Sequence, residues 1–393
     1  MKKWILYIEG DFIKFIPYGK QFISQEDIDC VVDVLKSDFI TQGPKIEEFE
    51  KALSNYCNVK HAVIFNSGTS ALHASYYAYG ISKKDEIITT PNTFVATANA
   101  ALYLGGKPNF VDIKLETGNI DENKIEKQIT ENTKLIAPVH YSGNPVDLEI
   151  IHEIADKHGL GVIEDAAHAL GAEYNGKKIG NCEFSDMVEF SFHPVKHITT
   201  GEGGAVVTND DEYYERLIKF RSHGITKDNL INNSPGPWYY EMQDLGFNYR
   251  ITDIQAALGL SQLKKIDEFV ERRREIAKIY NEIFDENPYF DCIIENKNAL
   301  SAYHLFPIIL KDKYKNKKSI IFNKLRESGL GVQTHYIPVH TQPYYTNLGY
   351  NKNDCPISKD FYEKEISIPM FPSMTDEDIS LVEKRLFNVL ENL

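Results

Sequence analysis

Seven short apolar runs between residues 61 and 208 constrain this chain more than any other feature of it. They are "HAVIF", "DEIITT", "KPNFVDI", "TKLIAPV", "GLGVIED", "DMVEFSF" and "GGAVVT". Several are separated by stretches of helical period, such as "TSALHASYYAYG" and "LEIIHEIADKHG". Strand-length runs alternating with amphipathic helices predict a mostly parallel sheet covered by helices on both faces, an α/β fold.

After Thr208 the pattern changes. "DDEYYERLIKFRSHG" reads as a helix closed by Gly224, and "NLINNSPGPWYY" as a Pro/Gly loop. A long helical region follows, "ITDIQAALGLSQLKKIDEFVERRREIAKIYNEIF", which breaks at "DENPYF". The remainder holds two apolar runs, "AYHLFPIIL" and "LGVQTHYIP", with helices around 316–328 and 375–392. This predicts a second, smaller α/β domain. The reading divides the chain into an N-terminal extension over 1–15, a large domain over 16–280 and a small domain over 281–393. A length of 393 residues with 42% hydrophobic content agrees with two buried cores.

Charge narrows the partners. A formal net charge of −14 disfavours nucleic acid, which requires a surplus of lysine and arginine over some face. The tight basic run Arg272, Arg273 and Arg274, flanked by Glu271 and Glu275, reads as a solvated helix face. Five scattered cysteines without a C-x-x-C pair read as free thiols, which places the chain in a reducing cytoplasm. Near the start, "WILYIEGDFIKFI" is interrupted by Glu9, Asp11 and Lys14. It falls short of the roughly 20 apolar residues of a membrane span, and it lacks a signal cleavage site.

In a parallel α/β sheet, ligand groups gather beyond the carboxyl ends of the strands. Four such ends stand out. "HAVIF" runs into Asn66, Ser67, Gly68, Thr69 and Ser70 and then a helix, which reads as a phosphate cradle or as a plain N-cap. "GLGVIED" ends at Asp165, either a ligand-facing carboxylate or another N-cap. "DEIITT" leads to Phe94, which either covers a ligand or packs in the core. Beyond "DMVEFSF", which carries Ser191, Lys196 precedes Gly201, Gly203 and Gly204; it is a desolvated amine nucleophile or a surface lysine. Cradle, carboxylate, aromatic cover and an amine able to form a Schiff base are together the parts of a pyridoxal phosphate site. A metal is the chemical competitor, but Pro194 between His193 and His197 makes a helical ligand pair improbable, and no metal is expected.

From about Ile16 onward the chain resembles the DegT-type pyridoxal-phosphate sugar-nucleotide aminotransferases, which have the aspartate aminotransferase fold. The markers are "NSGTSALH", "TPNTFVATANA", "IEDAAHALGA", "SFHPVKHITTGEGGAVVT", "FRSHGI", "LGFNYRITDIQAALGLSQL" and "GVQTHYIP". The resemblance implies a fold-type I transferase whose large domain has a mostly parallel seven-stranded sheet. It implies that Lys196 is the cofactor-anchoring lysine, and Asp165 the carboxylate facing the pyridine nitrogen. His168 would contact the ring hydroxyl and Phe94 the ring face. Ser67, Gly68, Thr69 and Ser191 match phosphate-binding positions, and Asn248 a phosphate ligand donated by the partner subunit. Tyr18, the loop holding Asp38 and Thr41, and His335 with Tyr336 match segments lining the sugar pocket.

The activity so implied moves an amino group from L-glutamate to C4 of a UDP-linked 4-keto-6-deoxy-N-acetyl-hexosamine. Pyridoxal 5′-phosphate is the cofactor and pyridoxamine 5′-phosphate its aminated form. The route is that of pseudaminic acid in bacterial surface glycans and flagellin, with a homodimer sharing its active sites. Rival readings are a UDP-4-keto-pentose aminotransferase, a pyridoxamine-phosphate-dependent dehydratase, which carries histidine in place of the lysine, and a non-catalytic regulator. Residues 1–15 precede the segment where the family's chains usually begin, and they are assigned no role.

Overall fold

All seven apolar runs form strands of one sheet in the structure, a computed structural model that describes residues 5–8 and 11–393. We number them β1 (His61–Phe65), β2 (Glu86–Thr89), β3 (Lys107–Phe110), β4 (Thr133–Ala137), β5 (Gly161–Asp165), β6 (Met187–Ser191) and β7 (Gly204–Thr208). Their order across the sheet is β1-β7-β6-β5-β4-β2-β3. Only β7 runs against its neighbours, pairing Ser191 with Gly204 on one side and Phe65 with Gly204 on the other. The remaining pairings are parallel. Strands buried on both faces carry apolar side chains at successive positions, which is why they read as continuous runs rather than alternations.

The covering helices are α1 (Gln25–Lys36), α2 (Pro44–Cys57), α3 (Gly68–Tyr79), α4 (Ala96–Tyr103), α5 (Leu148–His158), α6 (Asp211–Arg221), α7 (Asp253–Leu263) and α8 (Ile266–Ile283). Successive strand residues feed opposite layers. Ile64, Ile136, Val162 and Val188 pack with Phe49, Leu53, Ile151 and Ala256 of α2, α5 and α7. Val63, Leu135, Ile163 and Met187 pack with Leu72, Ala100 and Leu217 of α3, α4 and α6 on the other face.

A further core lies around the antiparallel strands β8 (Phe290–Cys292), β9 (Phe306–Leu310) and β10 (Glu365–Ile368), in the order β8-β9-β10. Helices α9 (Lys318–Glu327) and α10 (Asp376–Glu391) supply Ile321, Leu325, Val382 and Leu386 to it. The predicted long helix is in fact two, α7 and α8. The second of these serves both cores, with Ile266 and Val270 in the first and Ile276 and Tyr280 in the last.

One expectation is corrected. Arg273 is not on a solvated face: it is 0% exposed, and its Nη1 donates to the carbonyls of Tyr303, His304 and Met370. Partners that are backbone carbonyls distant in sequence make a buried guanidinium tolerable, and burial pushes its pKa down to about 9. The apolar run "LGVQTHYIP" is irregular in the structure. It makes isolated bridges, Leu330 to Ile16 and Gln333 to Ser367, and its irregular backbone turns side chains into a cavity. Of the extension over 1–15, residues 1–4, 9 and 10 lie outside the described residues, while Ile5–Ile8 pairs antiparallel with Asp11–Lys14. Among the described residues no helix is long and apolar enough to cross a membrane.

Candidate active site

At the end of β1, Ser67 caps α3 reciprocally: the Ser70 backbone N–H donates to Ser67 Oγ, and the Ser67 N–H to Ser70 Oγ, both at 3.1 Å. The N-cap and cradle readings thus describe one structure, because the box leaves the first-turn N–H groups of Gly68 and Thr69 without intrahelical acceptors. These groups stand at the positive end of the helix, suited to an anion. The approach requires glycine on both sides. A Cβ on Gly68 would come within 2.7 Å of Glu189 Oε1, and one on Gly204 within 2.6 Å of the Ser67 carbonyl.

At the end of β5, Asp165 is 5% exposed. No helix follows it, so it caps nothing. Its Oδ2 accepts from Thr97 Oγ1 at 2.6 Å and its Oδ1 from the Ala167 N–H at 3.1 Å. The chain after β6 loops back into the protein, with Phe192 and Ile198 in the core and the Thr200 N–H donating to the Phe192 carbonyl at 3.1 Å. That loop carries Lys196. Phe94 is 59% exposed, which rules out core packing, and its ring lies 6.3 Å from that of Tyr336.

One cavity of about 670 Å³ gathers these ends. Ser67, Gly68, Thr69 and Ser191 line it, as do Lys196, Asp165, His168 and Phe94. Tyr18, His335 and Tyr336 complete its lining. β10 holds His335 there: its N–H donates to Glu365 Oε2 at 2.9 Å, and its Nδ1 lies 2.8 Å from Ser367 Oγ. Asp38, Thr41 and Asn248 lie outside the cavity. Thr41 pairs with Thr252 beside α7, and Asn248 pairs with Ser222. His193 is exposed, whereas His197 is buried and bonds the Ala302 carbonyl at 3.0 Å, so the two form no ligand pair.

The electrostatics suit a nucleophile. Lys196 keeps some surface open to the cavity, yet burial of its amine pushes the pKa down to about 8, against the opposing pull of Asp165 and Glu189. Burial also pushes His168 well below its ordinary value, and His335 down to about 3, with the Lys196 charge acting in the same sense. Both imidazoles are therefore neutral near pH 7. Tyr336 Oη meets His168 Nε2 at 2.9 Å, while His168 Nδ1 is buried and has no partner among the described residues.

A pyridoxal phosphate fits this set. The glycine-floored helix end suits its phosphate, Asp165 its ring nitrogen, the unpartnered His168 Nδ1 its ring hydroxyl, and the lowered-pKa amine its aldehyde. Two cavity residues escape a reading by strand ends. Thr97 sits in the first turn of α4 and fixes Asp165, and Glu189 is a charged residue inside an apolar run, a visible signal with no visible partner.

A seven-stranded, mostly parallel sheet with an amine and a carboxyl at adjoining strand ends defines the fold-type I class of pyridoxal-phosphate-dependent transferases. Within that class, the chain belongs to the DegT/DnrJ/EryC1/StrS aminotransferase family, whose model matches residues 21–387. It is 43% identical over 381 residues to the UDP-4-amino-4,6-dideoxy-N-acetyl-beta-L-altrosamine transaminase of Campylobacter jejuni, covering 96% of this chain and 98% of that protein. Its fold is similar to that of Helicobacter pylori PseC, an aminotransferase involved in the biosynthesis of pseudoaminic acid. The TM-score is 0.91 at 40% identity, over 97% of this chain and 100% of that one. The sugar aminotransferase Spr1654 of Streptococcus pneumoniae in its PMP form, described as putative, gives 0.91 at 30% identity, over 96% and 99%.

Proposed function

We propose that this chain transfers the amino group of L-glutamate to C4 of a UDP-linked 4-keto-6-deoxy-N-acetyl-hexosamine; its Campylobacter relative is named a UDP-4-amino-4,6-dideoxy-N-acetyl-beta-L-altrosamine transaminase, which supports the reading. The observation that carries the reading is a single cavity holding Lys196, with its pKa lowered to about 8, together with Asp165. Bound pyridoxal phosphate supplies a ring that accepts the electron pair left when the donor's α-proton departs. The Gly68 and Thr69 N–H groups, with Ser67 and Ser191, hold the phosphate. Asp165 keeps the ring nitrogen protonated, since an adjacent negative charge favours the cation. Lys196, a free base over much of the neutral-to-alkaline range, takes the α-proton at its Nζ and returns one from the same atom.

Purified protein given glutamate and a panel of UDP-4-keto sugars should aminate the 6-deoxy-N-acetyl-hexosamine fastest, with 2-oxoglutarate formed mole for mole. Preference for the UDP-4-keto-pentose would replace the sugar assignment and leave the reaction class intact. Such an activity, drawing on glutamate and a nucleotide sugar, belongs in the cytoplasm.

The active unit in this reading is a homodimer with shared sites. Asn248 lies outside its own chain's cavity, where a residue serving the partner's phosphate would lie. Large apolar side chains are exposed on the neighbouring segments, Trp238 at 73% and Leu245 at 71%. Mixing inactive Lys196→Ala chains with inactive Asn248→Ala chains should restore wild-type sites in the mixed dimers, up to about a quarter of all sites under random pairing. Absence of any rescue would show that each chain is self-sufficient.

A further inference from the structure

Glu189 has no part in the mechanism above, and its setting demands one. It is 0% exposed, lines the cavity and stands directly across from Asp165 in the parallel pairing of β6 with β5. By strand parity both side chains fall on the face covered by α3, since Met187 and Ile163, two residues before each, pack there. The helix presses on the pair: a Cβ on Gly68 would come within 2.7 Å of Glu189 Oε1.

The partners of the two carboxyls differ. Asp165 accepts from Thr97 Oγ1 and from the Ala167 N–H. Among the described residues neither Glu189 oxygen receives a hydrogen from a donor, and the group that interacts with it is the Asp165 carboxyl, itself an acceptor. Among the described residues no ion pair joins Lys196 to either acid. Two buried carboxylates in contact cannot both be ionised, and the one whose charged form is hydrogen-bonded keeps the charge.

We infer that Glu189 and Asp165 share one proton, with Glu189 as a neutral acid donating to Asp165 and acting as its positioning residue. Burial first, then the Asp165 charge, pushes the Glu189 carboxyl well above the ordinary range, and Lys196 pulls the other way. Tyr76 of α3 and Tyr336, which also feel the charge of the pair, are held neutral by burial. The pair therefore carries a single negative charge. Toward the cofactor, a role that rests on the proposed function, this gives one anion for one ring cation, with the Asp165 oxygens fixed on three sides.

The test begins on the apoprotein, so that it stands or falls separately from cofactor binding. At neutral pH, wild-type protein should show the infrared carbonyl stretch of a buried carboxylic acid, shifted by ¹³C-labelled glutamate and lost in Glu189→Gln. Absence of that band overturns the inference without touching the proposed function.

Urea unfolding gives a second reading. The folded state keeps a proton that the unfolded chain releases above about pH 4.3. Wild type therefore loses stability relative to Glu189→Gln as pH rises from about 5 to 8, tenfold in equilibrium constant per unit until Glu189 ionises in the folded state. A difference flat across that range contradicts the inference. In the loaded enzyme, Glu189→Leu should lower kcat about tenfold, and Glu189→Gln, whose amide N–H replaces the acid O–H, should recover most of the loss. Equal loss in both variants would reduce Glu189 to a structural residue.

Discussion

Lys196→Ala should fold and still bind the cofactor's phosphate, yet transaminate at least about 10⁴-fold more slowly than wild type. The size of the effect follows from two jobs on one atom in the proposed reaction: Nζ of Lys196 would hold the cofactor between turnovers and move the proton during them. Its pKa of about 8 makes both jobs possible, because an amine at the ordinary lysine value is almost wholly protonated near pH 7. The substitution leaves intact the helix end proposed to hold the phosphate, since Ser67 caps α3 and Gly68 and Thr69 open it, away from the loop after β6. Single-turnover and steady-state rates with glutamate measure the loss. A residual rate within about tenfold of wild type would move the proton transfer to another group.

Asp165→Ala should cost about 10²–10³-fold in kcat with a smaller change in cofactor affinity. The carboxylate sits at 5% exposure, where its charge is poorly screened and acts strongly on a neighbouring ring nitrogen. Its removal also strands the Thr97 hydroxyl and the Glu189 acid, both of which are directed at it. Kinetics together with the absorption spectrum of the bound cofactor check this. The spectrum should change along with the rate, because the protonation of the ring is what the carboxylate controls. A slow variant with a wild-type spectrum would point to a positional role instead.

The sheet was legible in the sequence because β5, β6 and β7 are buried on both faces, and such strands write themselves as unbroken apolar runs. Lys196, Asp165 and Ser67 were legible for a related reason, since a strand's end is readable once the strand is. What failed to show depends on neighbours brought in from elsewhere in the chain. Arg273 looks like surface charge because its three acceptors are backbone carbonyls of Tyr303, His304 and Met370. The residues around His335 read only as an apolar run, whereas the backbone there bridges to Ser367 at one point and then bends into the cavity. Glu189 was plainly visible as a charge within "MVEFS". Its meaning depends on which residue of β5 it faces, and register across a parallel pair leaves no local mark.

The central claim is that one amine, on the loop after β6, anchors the cofactor in the cavity that Asp165 shares. Reconstitution of purified protein with pyridoxal phosphate, reduction with borohydride and mapping of the tagged peptide addresses it directly. A single pyridoxyl group should appear on Lys196 and be absent from Lys196→Ala. A tag on any other lysine, or none after reconstitution, contradicts it.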